Sequence, residues 1–172
     1  MDYGQTLQRW HDFYLTSGAA SAALAGLLFV GLSLHIRVVV TQFDVRSLAR
    51  ITLSDFFVVL VVSLFVLIPT NRAGLTATEL VGVSIASLLL AFPVIRMAIE
   101  EQRKRVLGLR TLWIRFGLSL FGYIVIGGVG VLLFLGKYGD GLSWLVGAMI
   151  VLLLVAVRNT WDVLVTVGEK TH

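Results

Sequence analysis

Five long apolar runs, separated by short polar stretches, dominate the chain. They cover about residues 14–34, 51–68, 75–99, 112–135 and 142–161, and the third contains Pro93. A helix needs roughly 20 apolar residues to cross the ~30 Å hydrocarbon core of a bilayer. The alternating pattern of a transmembrane barrel is absent, and backbone groups in lipid must be paired within the protein. The pattern predicts an all-α membrane protein with five transmembrane helices, forming a single transmembrane domain over residues 1–172.

The polar stretches between the runs predict connections of two kinds. Pro69–Gly74 and Gly136–Gly141 are short and contain the Gly, Pro and Asn residues that tight turns favour. Val38–Arg50 and Glu100–Thr111 are longer, and we expect them to form loops. None of these connections is long enough to hold a separate soluble domain.

Composition supports this interpretation. The chain is 58% hydrophobic and only 14% charged, whereas a soluble domain carries roughly 25% charged residues. So few charges cannot cover a water-facing surface, which excludes a soluble globular enzyme. The chain contains no cysteine, so we expect neither a disulfide nor a thiolate metal site. No basic cluster precedes the first apolar run, so we expect that run to be retained rather than cleaved as a signal peptide.

The 14 Lys and Arg residues are divided unevenly between the two faces that five spans create. One face carries only Arg9, Arg72 and Lys137. Cytoplasmic segments of membrane proteins carry an excess of Lys and Arg, so we expect the N-terminus outside and the C-terminus in the cytoplasm. The basic face carries Arg37, Arg46, Arg50, Arg96, Arg103, Lys104, Arg105, Arg110, Arg115, Arg158 and Lys170.

The residue patterns of catalytic and metal sites are missing from the sequence. Gly82–Ala86 has the spacing of a nucleophilic serine motif, but such a serine needs a histidine base at matching depth. His11 and His172 lie in the tails, and His35 lies at the inner end of the first span. No His, Asp and Glu residues share metal-ligand spacing within a span. We expect no enzymatic activity, no metal, no cofactor and no nucleic-acid partner.

The first span carries small residues at helical spacing. Gly18, Ala22 and Gly26 recur every four residues, and Ser21 and Ala25 flank them. Small residues at this spacing let helices approach closely in lipid. This face packs either against another span of the same chain or against a second copy, as a subunit interface or a pore-lining helix. We expect self-association, although the spacing alone leaves both interpretations open.

Ionisable side chains gather at one predicted depth, near the inner ends of the spans. We place Asp55 about one turn in from the end of its span and expect it to pair with Arg115 or Arg96, because unpaired charges in a span are costly. The layer is either a structural ion-pair network with snorkelling arginines or the charged inner vestibule of a permeation path. Its members are His35, Asp55, Arg96, Arg115, Arg158 and Asp162.

The centres of the predicted spans carry no Asp, Glu, Lys, Arg or His. A proton-coupled transporter usually keeps a carboxylate near the midplane. The pattern therefore disfavours secondary transport.

A basic cluster lies between the third and fourth spans. Arg103, Lys104 and Arg105 are candidate contacts for anionic lipid headgroups on the cytoplasmic side. The alternative is a solvated connector whose charges have no ligand.

The segment Trp10–Tyr14, followed by the Gly- and Ala-rich run Gly18–Ser33, carries a resemblance. It resembles small bacterial polytopic integral membrane proteins of uncharacterised function, some of which are labelled modulators of a membrane AAA protease. The resemblance implies a multi-pass protein of the bacterial inner membrane and adds no catalytic or ligand residue.

One function agrees with three features together: the small residues of the first span, the uncharged centres of the spans and the basic residues of the inner face. We expect a homo-oligomeric ion channel or pore with a basic cytoplasmic mouth. The alternative is a non-conducting membrane scaffold or regulatory subunit that acts through lateral helix contacts.

Overall fold

The computed structural model is all-helical over the part of the chain that it describes. That part is the backbone of residues 3–68, 72–104 and 109–169 and the side chains of residues 3–42, 45–68, 72–96 and 116–168. Five of its helices, all except the short α2, are long and apolar enough to cross a membrane. The prediction of an all-α protein with five spanning helices is confirmed to that extent. The helices are α1 (Tyr3–Leu34), α2 (Ile36–Thr41), α3 (Phe43–Leu67), α4 (Ala73–Lys104), α5 (Leu109–Phe134) and α6 (Tyr138–Glu169).

The helices are longer than the apolar runs that predicted them. α1 begins at Tyr3 and α6 continues to Glu169. The expected loop Val38–Arg50 is wrong, since α2 and the first two turns of α3 occupy it. Helical backbone groups bond each other whether or not the surrounding side chains are apolar. Arg46 and Arg50 are exposed on the surface of α3, where long side chains can extend to water without ending the helix.

The tight turn predicted over Gly136–Gly141 is confirmed at its start, and α6 occupies the rest from Tyr138. Gly136, with φ +76°, follows the end of α5, in the left-handed region that glycine enters at no steric cost. The Lys137 amide donates to the Leu132 carbonyl at 3.0 Å and the Gly136 amide donates to the Leu133 carbonyl at 3.1 Å, which is the Schellman pattern of a helix end. The other predicted tight turn falls largely on residues 69–71, outside the described residues.

The five long helices form a ring in the order α1, α3, α4, α5, α6, and α6 closes the ring against α1. α3 also contacts α6 across the ring. Large side chains fill the interior, among them Tyr14, Phe56, Tyr123, Met149 and Leu152, all fully buried. α3 and α5 lie on opposite sides of α4, so a contact between them passes through the interior of the bundle.

Candidate functional site

Asp55 is the one carboxyl group that the described part of the chain buries completely. It lies in α3 with no exposed surface, and it is the eleventh of the 23 residues in the apolar span Val45–Leu67. α3 itself begins at Phe43, before the start of the predicted span. The start of a helix does not fix the membrane boundary, and Arg46 and Arg50 are exposed on the early turns of α3, so the depth of Asp55, about one turn in from the end of its span, stays a prediction.

Two hydroxyl groups of α5 hold the carboxyl group of Asp55. The Ser119 hydroxyl donates to Oδ2 at 2.7 Å, and the Tyr123 hydroxyl lies 2.6 Å from Oδ1. Residues four apart lie on the same face of a helix, so Ser119 and Tyr123 both point from α5 toward α3. Both carboxyl oxygens have a hydrogen-bond partner, as a buried polar group requires. This polar contact joins α3 to α5 through the interior.

The Tyr123 hydroxyl also reaches a third side chain. Its oxygen lies 3.2 Å from Oγ of Ser54, which is half-buried on α3. A phenol has one proton to donate, so it cannot donate to Asp55 and Ser54 at once. With Asp55 ionised, Ser54 donates to Tyr123 and Tyr123 donates to Asp55. With Asp55 neutral, its own proton is donated to Tyr123, and Tyr123 donates to Ser54. The oxygens of Ser54, Tyr123 and Asp55 therefore form two hydrogen bonds in both protonation states.

The expected pairing of Asp55 with an arginine is not what the described side chains show. Arg96 is exposed, and its guanidinium carbon lies 5.2 Å from the centre of the Phe92 ring, so it interacts with its own helix. The pairing with Arg96 is therefore wrong. The side chain of Arg115 lies outside the described residues. The partners of Asp55 among the described side chains are hydroxyl groups, and the pairing with Arg115 stays a prediction.

The remaining members of the predicted charged layer do not surround Asp55. His35 is half-buried at the break between α1 and α2, where its Nδ1 lies 3.2 Å from the Gly31 carbonyl oxygen. Arg158 is exposed on α6 and Asp162 is half-buried one turn later. Of the described members, Asp55 alone is fully buried.

The small-residue face of the first span divides into two parts. Gly18 packs on α3, where a Cβ atom would lie 2.9 Å from Cβ of Ser63. The Ser21 hydroxyl donates to the backbone carbonyl of Phe56 at 2.6 Å, and Ala25 is buried beside it on the same helix. These three residues form a packing face within the chain.

The other two residues of that face point outward. Ala22 is exposed, and a Cβ atom on Gly26 would meet nothing within 4 Å. The four-residue spacing of Gly18, Ala22 and Gly26 therefore does not follow the contact with α3. Buried positions of α1 recur at Ser17, Ser21, Ala25, Leu28 and Leu32 instead.

A groove lies between α3 and α4 and shares Ser54 with the Asp55 cluster. Its wider part has a volume of about 590 Å³, with Arg50, Ser54 and Phe57 on one wall and Leu90 and Pro93 on the other. A narrower part of about 210 Å³ continues from the same Ser54, Phe57 and Leu90. The Ser54 hydroxyl thus connects the groove to the buried carboxyl group through Tyr123.

The structure says nothing about the candidate lipid contacts Arg103, Lys104 and Arg105, because their side chains lie outside the described residues. Within the described part of the chain, no group of three His, Cys, Asp or Glu side chains is placed to hold a metal ion.

Sequence reasoning missed Ser54, Ser119 and Tyr123 as partners of Asp55. The available signal was the spacing of Ser119 and Tyr123, which puts two hydroxyls on one face of an otherwise apolar helix. Which helix that face meets depends on the order of helices around the ring, and this order is a tertiary property.

The chain was compared with known proteins at the level of family, sequence and structure. No family model, curated protein or solved structure matches it. Its function must therefore be argued from the buried carboxyl cluster and the surfaces around it.

Proposed function

We propose that the protein is an ion-conducting membrane protein and that the ion which it moves is a proton bound by Asp55. The supporting observation is the environment of this carboxyl group, which is fully buried in a spanning helix and bonded to two hydroxyls. Ionisable residues within a span are costly and are found at ion pathways and proton relays. A salt bridge with the described arginine Arg96, the structural alternative, is not formed.

The hydrogen bonds around Asp55 supply the entry of a proton path, from the groove to the carboxyl group. A proton arriving at Ser54 from the groove passes to Tyr123 while Tyr123 passes its own proton to Asp55. Each transfer crosses one hydrogen bond, with oxygen separations of 3.2 Å and 2.6 Å. Ser119 remains a donor to the other carboxyl oxygen throughout, so it supports the ionised form in the interior.

Proton flux into liposomes tests this proposal. The purified protein is reconstituted with a pH-sensitive dye inside, and a potassium diffusion potential drives protons inward. Wild type should acidify the lumen faster than empty liposomes. Asp55→Asn, which has nearly the same shape, should reduce flux to the level of empty liposomes, whereas Asp140→Asn, an exposed carboxyl group, should leave it unchanged.

A second pair of variants tests the relay. Tyr123→Phe keeps the buried ring and removes the hydroxyl, so flux should fall about tenfold or more if one hydrogen bond to a charged group is lost in the transfer step. Circular dichroism should show that both Asp55→Asn and Tyr123→Phe remain helical. Wild-type flux in folded Asp55→Asn, or no flux from wild type, would contradict the proposal.

A second candidate function rests on the outward part of the small-residue face. Ala22 and Gly26 are exposed, and space is open beside Gly26. Small residues of this kind let a helix of a second copy approach closely. Self-association through α1 would build either a pore between copies, with a basic cytoplasmic mouth favouring anions, or a non-conducting scaffold or regulatory subunit. An oligomer that carries neither protons nor chloride in liposomes would favour the scaffold.

Orientation and location are part of the same proposal. We infer that the N-terminus lies outside and the C-terminus in the cytoplasm, because the face of Arg9, Arg72 and Lys137 is poor in basic residues. The resemblance of residues 10–33 to bacterial proteins supports the inner membrane as the location. Arg103, Lys104 and Arg105 would then meet the anionic headgroups of the cytoplasmic leaflet.

A further inference from the structure

The groove between α3 and α4 has the dimensions of one acyl chain in one leaflet. Its two connected parts extend along α3 from Arg50 to Val61. Eleven residues at ~1.5 Å rise each make about 16 Å, and half of a ~30 Å hydrocarbon core is about 15 Å. The total space is within the range of pockets that hold small ligands, roughly 300–1,000 Å³.

The walls of the groove are apolar and open to the outer surface of the bundle. Phe57 is 47% exposed and Leu90 is 69% exposed, so the long side of the groove faces the surroundings of the helices rather than the core. Ala86 and Ala91 on α4 keep the groove deep, because their side chains are small. A flexible hydrocarbon chain fits this shape better than a rigid helix, which is ~10 Å wide.

One end of the groove is positively charged. Arg50 lines that end and is exposed. Among the described residues, no carboxyl group forms an ion pair with it. Arg96 is also exposed on α4, three residues beyond the Pro93 that lines the groove. Because α3 and α4 are antiparallel neighbours, the start of α3 and the later turns of α4 share the same end of the bundle.

We propose that this groove binds one acyl chain of an anionic membrane lipid, with the negatively charged headgroup on Arg50. Van der Waals packing of the chain against Phe57 and Leu90 supplies binding that does not depend on headgroup charge. The guanidinium supplies the preference for a phosphate that carries net negative charge, since arginine matches phosphate oxygens with paired donors. The proposal involves none of Arg103, Lys104 and Arg105, and it does not depend on proton conduction.

The test measures thermal stabilisation of the detergent-purified protein by added lipid. Phosphatidylglycerol and phosphatidylcholine with the same acyl chains are titrated in parallel, and their half-saturating concentrations are compared. Wild type should bind phosphatidylglycerol more tightly. Arg50→Gln should weaken phosphatidylglycerol binding about fivefold, as expected for one basic residue near an anionic lipid, and should leave phosphatidylcholine binding unchanged.

Two further variants separate this site from general lipid binding. Arg37→Gln removes an exposed arginine outside the groove, so its phosphatidylglycerol binding should match wild type. Ala86→Phe fills the narrow part of the groove and should weaken the binding of both lipids. Each variant is compared with wild type by circular dichroism and by size-exclusion elution.

Four outcomes would overturn the proposal. They are unchanged phosphatidylglycerol binding in Arg50→Gln, an equal loss in Arg37→Gln, unchanged binding in folded Ala86→Phe, or full stabilisation by glycerol phosphate alone. The last would mean that the headgroup binds without its chain. We expect Asp55→Asn to keep the preference for phosphatidylglycerol over phosphatidylcholine, because lipid binding in the groove does not depend on the proton site.

Discussion

The contact between α4 and α5 offers a sharp test of the packing, because it depends on a glycine with no room for a side chain. A Cβ atom on Gly130 would lie 2.7 Å from Cγ2 of Val81 and 2.9 Å from the backbone oxygen of Ala77. The Val81 side chain can rotate away. The carbonyl of Ala77 belongs to the helical backbone of α4, so Gly130→Ala forces the two helices apart.

Gly128→Ala is the matched control for this substitution. Gly128 lies on the same helix, and a Cβ atom there would meet nothing within 4 Å. Replacing glycine with alanine stabilises a helix by about 1 kcal/mol. This gain is the same in both variants, so it cancels when their stabilities are compared. Forcing an extra methyl group into a packed contact costs about 1–3 kcal/mol. We therefore expect Gly130→Ala to be less stable than Gly128→Ala by about that amount.

The assay is reversible unfolding in mixed micelles, in which a denaturing detergent is titrated and helix content is followed by circular dichroism. The free energies of unfolding of the two variants are compared with wild type under the same conditions. Gly128→Ala should equal or exceed wild type. Equal stability of the two variants would refute the close approach of α5 to the backbone of α4.

Ser21→Ala should lower the free energy of unfolding by about 0.5–1.5 kcal/mol, because the Ser21 hydroxyl donates to a carbonyl of α3 at 2.6 Å. The control Ser33→Ala loses a hydrogen bond only within its own helix and should change the free energy of unfolding little, so equal losses in the two variants would contradict the contact. Gly18→Leu should unfold or strongly destabilise the protein, whereas Gly26→Leu should keep its helical circular dichroism. If copies associate through α1, Gly26→Leu should elute at monomer size and wild type at a larger size, and elution of wild type itself at monomer size would exclude that interface. A reporter active only in the cytoplasm should work when fused to the C-terminus and fail when inserted between α5 and α6, and activity at the second position would contradict the orientation.

The ends of the helices show where sequence reasoning stops being accurate. The apolar runs predicted five spans correctly because crossing hydrocarbon demands about 20 apolar residues, and this demand is local in sequence. The same reasoning began the second span near Ile51 and ended the fifth near Trp161, although α3 begins at Phe43 and α6 continues to Glu169. Hydropathy reports which residues lipid tolerates, whereas helix ends depend on backbone hydrogen bonding, which continues beyond the hydrocarbon.

The contact faces of the helices also show what the sequence predicts and what it leaves undecided. Small residues at four-residue spacing predicted a close contact on α1, but the spacing did not show which of them meets α3. Gly18 and Ser21 meet it, while Ala22 and Gly26 point outward. The side of a helix that becomes buried depends on which neighbour is placed beside it.

The sequence by itself determined the all-helical class, the five spans and the turn at Gly136, because each follows from interactions between residues close in the chain. The tertiary structure decided the partners of Asp55. Charge alone did not predict the hydroxyl groups of Ser119 and Tyr123, which the order of the helices brings from α5 against α3. A buried carboxyl group takes whichever donors the neighbouring helices present to it, and these donors lie more than sixty residues away in the chain.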